Sequence, residues 1–217
     1  MMKIHKMALD LEEQEQLDAL KQFWKQYGVL IITLAFLALA TFAGVKGWNY
    51  YQRSQSEQAS ALFGKFEEAV RKNDVSQIGS LGAEIIDKYG STAYAPMAAL
   101  LLAKSNYDNG DPAGAATRLQ WVIDKAKDDD TAALARLRLA AIRLDEKKYD
   151  EALALLDAKH AQAFAPLYAD LRGDILAAQG KLAEARAAYK LALEKSLPNS
   201  NYRNVVQIKL DALGPAK

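Results

Sequence analysis

The sequence predicts an all-α fold, with one N-terminal transmembrane helix followed by a solenoid of paired helices, and three observations lead there. An uncharged run of 18 residues, Gly28 to Val45, interrupts an otherwise ordinary mixture of charged and apolar text. Three later stretches repeat one helix, turn, helix pattern at separations of 37 and 33 residues. No stretch shows the sustained alternation of a half-buried strand.

The chain opens with a polar segment whose last part reads "EEQEQLDALKQFWKQYG", Glu12 to Gly28. Leu9, Leu17, Leu20 and Trp24 form a stripe, and Glu12, Glu13, Glu15 and Asp18 are expected in the first turns of a helix, where the macrodipole favours acids. A cleaved signal would have a short basic start and a shorter apolar region; this long acidic lead argues against one.

Residues 28–45 as a helix would span about 27 Å, enough to cross the hydrocarbon of a bilayer. Trp24 and Tyr27 flank one end, and Trp48, Tyr50 and Tyr51 the other, as expected of amphipathic rings at the two interfaces. Lys21 and Lys25 are matched by Lys46 and Arg53, so basic residues do not orient the span. An N-terminal tail in the cytoplasm and a translocated C-terminal domain is the usual arrangement for one early anchor.

Residues 52–72 read as a long helix with Ala59, Leu62, Phe66, Ala69 and Val70 at helical spacing. Beyond it, "LLAKSNYDNGDPAGAATRLQWVID" from Leu101, "RLAAIRLDEKKYDEALALLDAK" from Arg138 and "LRGDILAAQGKLAEARAAYKLALEK" from Leu171 align, with turns at Gly110, Lys147 and Gly180. The spacing is close to the 34-residue period of tetratricopeptide units. Ala103, Ala140 and Gly173 before each turn, and Ala115, Ala152 and Ala185 after it, let paired helices approach closely, with Leu119, Leu156 and Tyr189 as the large packing residues. A degenerate unit turns at Asn73, and the residues after Pro198 form a last helix covering the open end of the stack. The expected organisation is a cytoplasmic amphipathic tail over 1–27, the membrane helix over 28–45 and a juxtamembrane helix over 46–72. Repeats follow over 73–198, about three clear units and one degenerate unit that starts within 46–72, with a capping helix and tail over 199–217.

Composition removes several classes of function. With 28 basic and 27 acidic residues the chain has no overall field for nucleic acid, and with no cysteine it has no thiolate chemistry or disulfides. His5 and His160 have no nucleophile or ligand cluster beside them in the sequence, and the run Asp128 to Asp130 lacks the alternation of a calcium loop and suits a helix cap. No phosphate loop or nucleophile elbow is present. The expectation is a non-enzyme without cofactor or metal, working by binding.

In stacks of this kind the first helix of each unit lines the concave side. That register gives a mostly apolar groove of Phe63, Met97, Leu100 and Tyr107, continued by Leu134, Leu137, Leu144 and Leu167, with Lys104 and Asp174 among them. It suits an apolar segment of another polypeptide; the same side chains equally suit packing between repeats.

The segment "EEQEQLDALKQFWKQYG", the stretch "FGKFEEAV" after the span and "GKLAEARAAYKLALE" at Gly180 to Glu194 resemble, together and over nearly the whole chain, the ancillary subunit of the Sec translocon, the YfgM-like family. That resemblance implies a bacterial inner-membrane protein with a cytoplasmic N-terminus and a periplasmic repeat domain. It further implies association with the SecYEG channel and with a membrane-anchored periplasmic chaperone of the peptidyl-prolyl isomerase type, so that secretory polypeptides pass to folding helpers. A second reading makes the chain a regulatory tether whose cytoplasmic tail binds a soluble partner, the tail's stripe suiting a membrane surface or a groove alike.

Overall fold

A computed structural model describes residues 2–198 and 200–214, with side chains from residue 14 onward. His5, Leu9, Glu12 and Glu13 have side chains outside that range, as does the tail from residue 215. Nine α-helices and one 3₁₀ turn make up the described chain, with no strand among the described residues. Two compact units divide between Ser54 and Gln55.

The first helix, α1, runs Met2–Lys72. Glu15 and Asp18 therefore lie several turns inside it, not in its first turn, and the expected interaction with the helix macrodipole is absent there. Nothing between Met2 and Tyr27 is glycine or proline, so the chain has no reason to start its helix later.

Within the N-terminal unit the apolar side chains face outward, Val29 by 80% and Phe36 by 70%. A core helix of this composition would be buried; this one is long and apolar enough to cross a membrane, the one such helix among the described residues. The two threonines of the apolar run 28–45 follow the rule for an apolar medium. Thr33 donates to the Val29 carbonyl and Thr41 to the Leu37 carbonyl, both at 2.8 Å, so neither is left unsatisfied in hydrocarbon.

In the C-terminal unit, residues 55–72 of α1 are followed by α2 (Val75–Tyr89), α3 (Tyr94–Asp108), α4 (Pro112–Lys125), α5 (Asp129–Asp145) and α6 (Tyr149–Leu156). A 3₁₀ turn (Gln162–Phe164), α7 (Ala165–Ala178), α8 (Leu182–Lys195) and α9 (Asn201–Ala212) complete it. Neighbours in sequence pack as neighbours in space, α3 on α4, α5 on α6, α7 on α8 and α8 on α9. The four turn residues Asn73, Gly110, Lys147 and Gly180 all adopt left-handed backbone, at φ 54°, 81°, 61° and 76°. Three starts are capped by aspartate: Asp74 accepts from the Gln77 amide, Asp111 from Gly114 and Asp128 from Thr131. The acidic run at 128–130 is thus the beginning of α5.

The core is built mainly from alanine and leucine in three clusters, one from α1 to α5, one across α5, α6 and α7, and one across α7, α8 and α9. All nine residues expected at the close contacts between paired helices are buried, from Ala103, Ala115 and Leu119 in the first unit to Gly173, Ala185 and Tyr189 in the last. Hydrogen bonds echo the repeat, since groups 32 to 39 residues apart meet again and again. Tyr168 donates to the Ala133 carbonyl, Tyr202 to Asp170, and Lys209 to Asp170.

α6 is short, ending at Leu156, because no large apolar residue follows before Phe164 to continue its buried stripe. The loop carries His160, whose ring stacks at 4.1 Å on Tyr168. That histidine is half-buried and packs against the start of α7.

Candidate functional site

The groove residues expected from sequence do not form one surface. Phe63 packs against Phe66 and Tyr94, with ring centroids 5.8 and 5.5 Å away, and Leu100 is only 9% exposed; both belong to the first core cluster. Leu134 packs on that same cluster, while Leu137 and Leu144 pack on the cluster shared by α5, α6 and α7. The reason is the position of α5, which has helices on both sides, so its leucine stripe serves the joints between units. Met97 is exposed. Leu167, half-buried on α7, lines a separate hollow of about 510 Å³ with Pro166, Leu197 and Tyr202.

Lys104 and Tyr107 do come together. They line a cleft of about 350 Å³ between α3 and α5, whose other lining is Ala103, Leu119, Arg138, Ala141, Ile142 and Asp145. The wall on α5 is thus the face of Arg138, Ala141 and Asp145, one helical step away from the leucine stripe. The Tyr107 hydroxyl donates to Asp145, and that bond, with the carboxylate's charge, holds the phenol above its ordinary pKa. Lys104 is ion-paired with Asp108 on its own helix. Arg138 donates to the Leu100 carbonyl at 3.3 Å. A sequence signal for this face existed in the 38-residue offsets that pair Leu100 with Arg138 and Tyr107 with Asp145.

Asp174 stands elsewhere, in a cluster that joins α9 to α7. Lys209 reaches both oxygens of Asp170 at 3.0 Å and Asp174 at 2.7 Å, while Tyr202 donates to Asp170 and Tyr189 to Asp174. Asp170 is 8% exposed, so its charge is held by these partners. Burial works to lower the Lys209 pKa, but hydrogen bonds and charge from Asp174 and Asp170 outweigh it and raise the value. Burial first, then the aspartates, raise Tyr189 and Tyr202 well above ordinary phenols.

In the N-terminal unit, Trp24 and Tyr27 on one side and Trp48, Tyr50 and Tyr51 on the other are all exposed. Tyr27 and Trp48 are about 31 Å apart along an ideal helix, close to the hydrocarbon thickness. The Trp24 ring lies over Gly28, where an added β-carbon would be 3.3 Å away, and Lys46 extends over the Phe42 ring at 5.7 Å. Among the described residues no group of acids and histidines is arranged to hold a metal ion.

A family profile described as a tetratricopeptide repeat-like domain matches residues 21–215. The chain is 37% identical over 208 residues to a protein of Neisseria gonorrhoeae named ancillary SecYEG translocon subunit, covering 95% of this chain and 100% of that one. Proteins of the same name from Haemophilus influenzae, 29% identical over 86% of this chain and 91% of theirs, and Escherichia coli, 27% identical over 95% and 99%, are also similar. With one helix long and apolar enough to cross a membrane, a stack of paired helices after it in the sequence and this likeness from end to end, the chain belongs to the family of ancillary SecYEG translocon subunits with a tetratricopeptide-like domain.

Proposed function

We propose that the chain is an inner-membrane-anchored, periplasm-facing adaptor that associates with the SecYEG translocon. In this reading its repeat domain binds secretory polypeptides and helps pass them to a membrane-anchored periplasmic chaperone of the peptidyl-prolyl isomerase type. The bilayer-spanning part of α1 holds the domain where chains emerge, the N-terminus stays in the cytoplasm, and no catalytic step is needed. The observation that carries the reading is the end-to-end likeness to proteins named as translocon subunits, in a chain whose repeat domain opens an apolar-floored cleft between α3 and α5.

Site-specific photocrosslinkers at Lys104 and Tyr107, in intact membranes during export, test it. Crosslinks to a translocating chain and to a SecYEG subunit are expected; their absence, beside a folded and inserted protein, would sink the reading. Protease added to spheroplasts reads the orientation, with digestion of the repeat domain expected and its full protection contrary. The tether reading is favoured by one feature, the exposure of Leu17, Leu20 and Trp24 on α1. Deleting residues 1–20 leaves translocon association intact if the adaptor reading holds, and releases a soluble partner under the tether reading.

A further inference from the structure

We propose that the cleft between α3 and α5 selects a polypeptide segment in which a large apolar side chain stands next to a carboxylate, the apolar group filling the floor and the carboxylate meeting Arg138. This rests on the reading that the repeat domain binds polypeptide.

The floor sets the first half of the specificity. Ala103, Leu119, Ala141 and Ile142 offer water no hydrogen bonds from their side chains, so displacing it with an apolar group is favourable. A volume of about 350 Å³ admits one bulky side chain with adjoining backbone.

The charges set the second half. Two of the cleft's three charged groups are already engaged: Lys104 pairs with Asp108, and Asp145 accepts the Tyr107 hydroxyl. Arg138 is different. Its guanidinium donates to one neutral carbonyl, at 3.3 Å, and no carboxylate among the described residues pairs with it. The remaining donors form a planar fork that fits a carboxylate with two parallel bonds. Because Arg138 is half-buried, an anion there is screened less than at an open surface.

The cleft is also polar along its length. Arg138 and Asp145 are two turns apart on one face of α5, about 10 Å, so one end is positive and the other negative. A bound segment therefore has a direction, with its acid at the Arg138 end and any basic residue at the Asp145 end.

Short fluorescein-labelled glycine–serine peptides with a central Phe-Asp, Phe-Asn or Ala-Asp pair, titrated against the full-length protein in detergent micelles, test this by anisotropy. Wild type should bind Phe-Asp about tenfold more tightly than either control, the size of one lost charge-assisted bond or one emptied apolar site. Arg138→Gln should erase the preference for Asp over Asn and keep that for Phe over Ala, while Lys190→Gln, exposed on α8 and outside the cleft lining, leaves both. Equal wild-type affinity for Phe-Asp and Phe-Asn overturns the proposal without relying on any variant's folding. Failure of all three peptides to bind, with translocating chains still crosslinked in membranes, overturns it too and leaves polypeptide binding standing. Loss of those crosslinks removes both.

Discussion

Gly173 on α7 lies directly against the ring of Tyr189 on α8: a β-carbon at residue 173 would sit 2.4 Å from Cε1 and 2.5 Å from Cδ1. In the two preceding units the corresponding pairs are Ala103 with Leu119 and Ala140 with Leu156. The larger partner in the last unit is matched by the smaller residue facing it. The ring cannot simply swing away, because its hydroxyl is tied to Asp174 at 2.8 Å.

Gly173→Ala should therefore lower stability by about 1–2 kcal/mol, overpacking outweighing the gain in helix propensity. Combining it with Tyr189→Leu rebuilds the pair used by the other units, and alanine should then cost little or nothing. Denaturant unfolding of the four proteins of this cycle measures the coupling; additive effects would show that the contact is not tight.

The left-handed turns give a prediction of opposite sign at two equivalent places. Gly180 takes φ 76° without a β-carbon, and Lys147 takes φ 61° with one. Lys147→Gly should stabilise by up to about 1 kcal/mol, the relief of backbone strain being partly offset by the freer unfolded chain. Gly180→Ala should destabilise by about 1–2 kcal/mol. Shifts in the unfolding midpoint read both.

Alkaline pH should loosen the end of the stack. Tyr189, Tyr202 and Lys209 all have pKa values raised on folding. Stability from a raised group is fully present below its unfolded pKa and is lost as pH rises towards the folded one, a window that opens near pH 10 for both residue types. Unfolding midpoints should fall above about pH 10, and less steeply in Tyr202→Phe, which has no phenol to ionise. An identical alkaline limb in that variant would remove Tyr202 from the account.

The membrane helix predicts its own failure. Leu37 is near the middle of the apolar run and exposed, so Leu37→Arg puts a cation at mid-bilayer. The cost of insertion rises by about 3 kcal/mol, and a measurable share of the protein should become extractable by alkaline carbonate. Wild-type retention in the membrane fraction would argue that this segment is not the span.

Much of this fold was legible because it rests on local rules. The uncharged run, the turn residues at Asn73, Gly110, Lys147 and Gly180, and the small residues flanking the turns each state a backbone or packing need in the sequence. The start of α1 was not, since the acids at Glu12 to Asp18 look like a first turn, and only the absence of a stop before them tells otherwise. On α5 the open face lies one step from the leucine stripe that periodicity marks. Apolar periodicity marks what a helix buries, and on α5 both neighbours claim that stripe, so the open face falls to Arg138, Ala141 and Asp145, which periodicity discards.

That difference between core and cleft is itself testable. Leu100 and Tyr107 stand two turns apart on α3 and both belonged to the expected groove, but Leu100 is in the core and Tyr107 on the cleft wall. Leu100→Glu buries a charge with no partner provided for it and should cost several kcal/mol, enough to unfold much of the first core cluster. Tyr107→Phe should leave the unfolding midpoint within about 0.5 kcal/mol of wild type, since the bond it removes is exposed. Circular dichroism of the two variants separates them. A stable, fully helical Leu100→Glu would mean that this side chain faces the open groove after all, and that the cleft extends along α3 beyond Ala103.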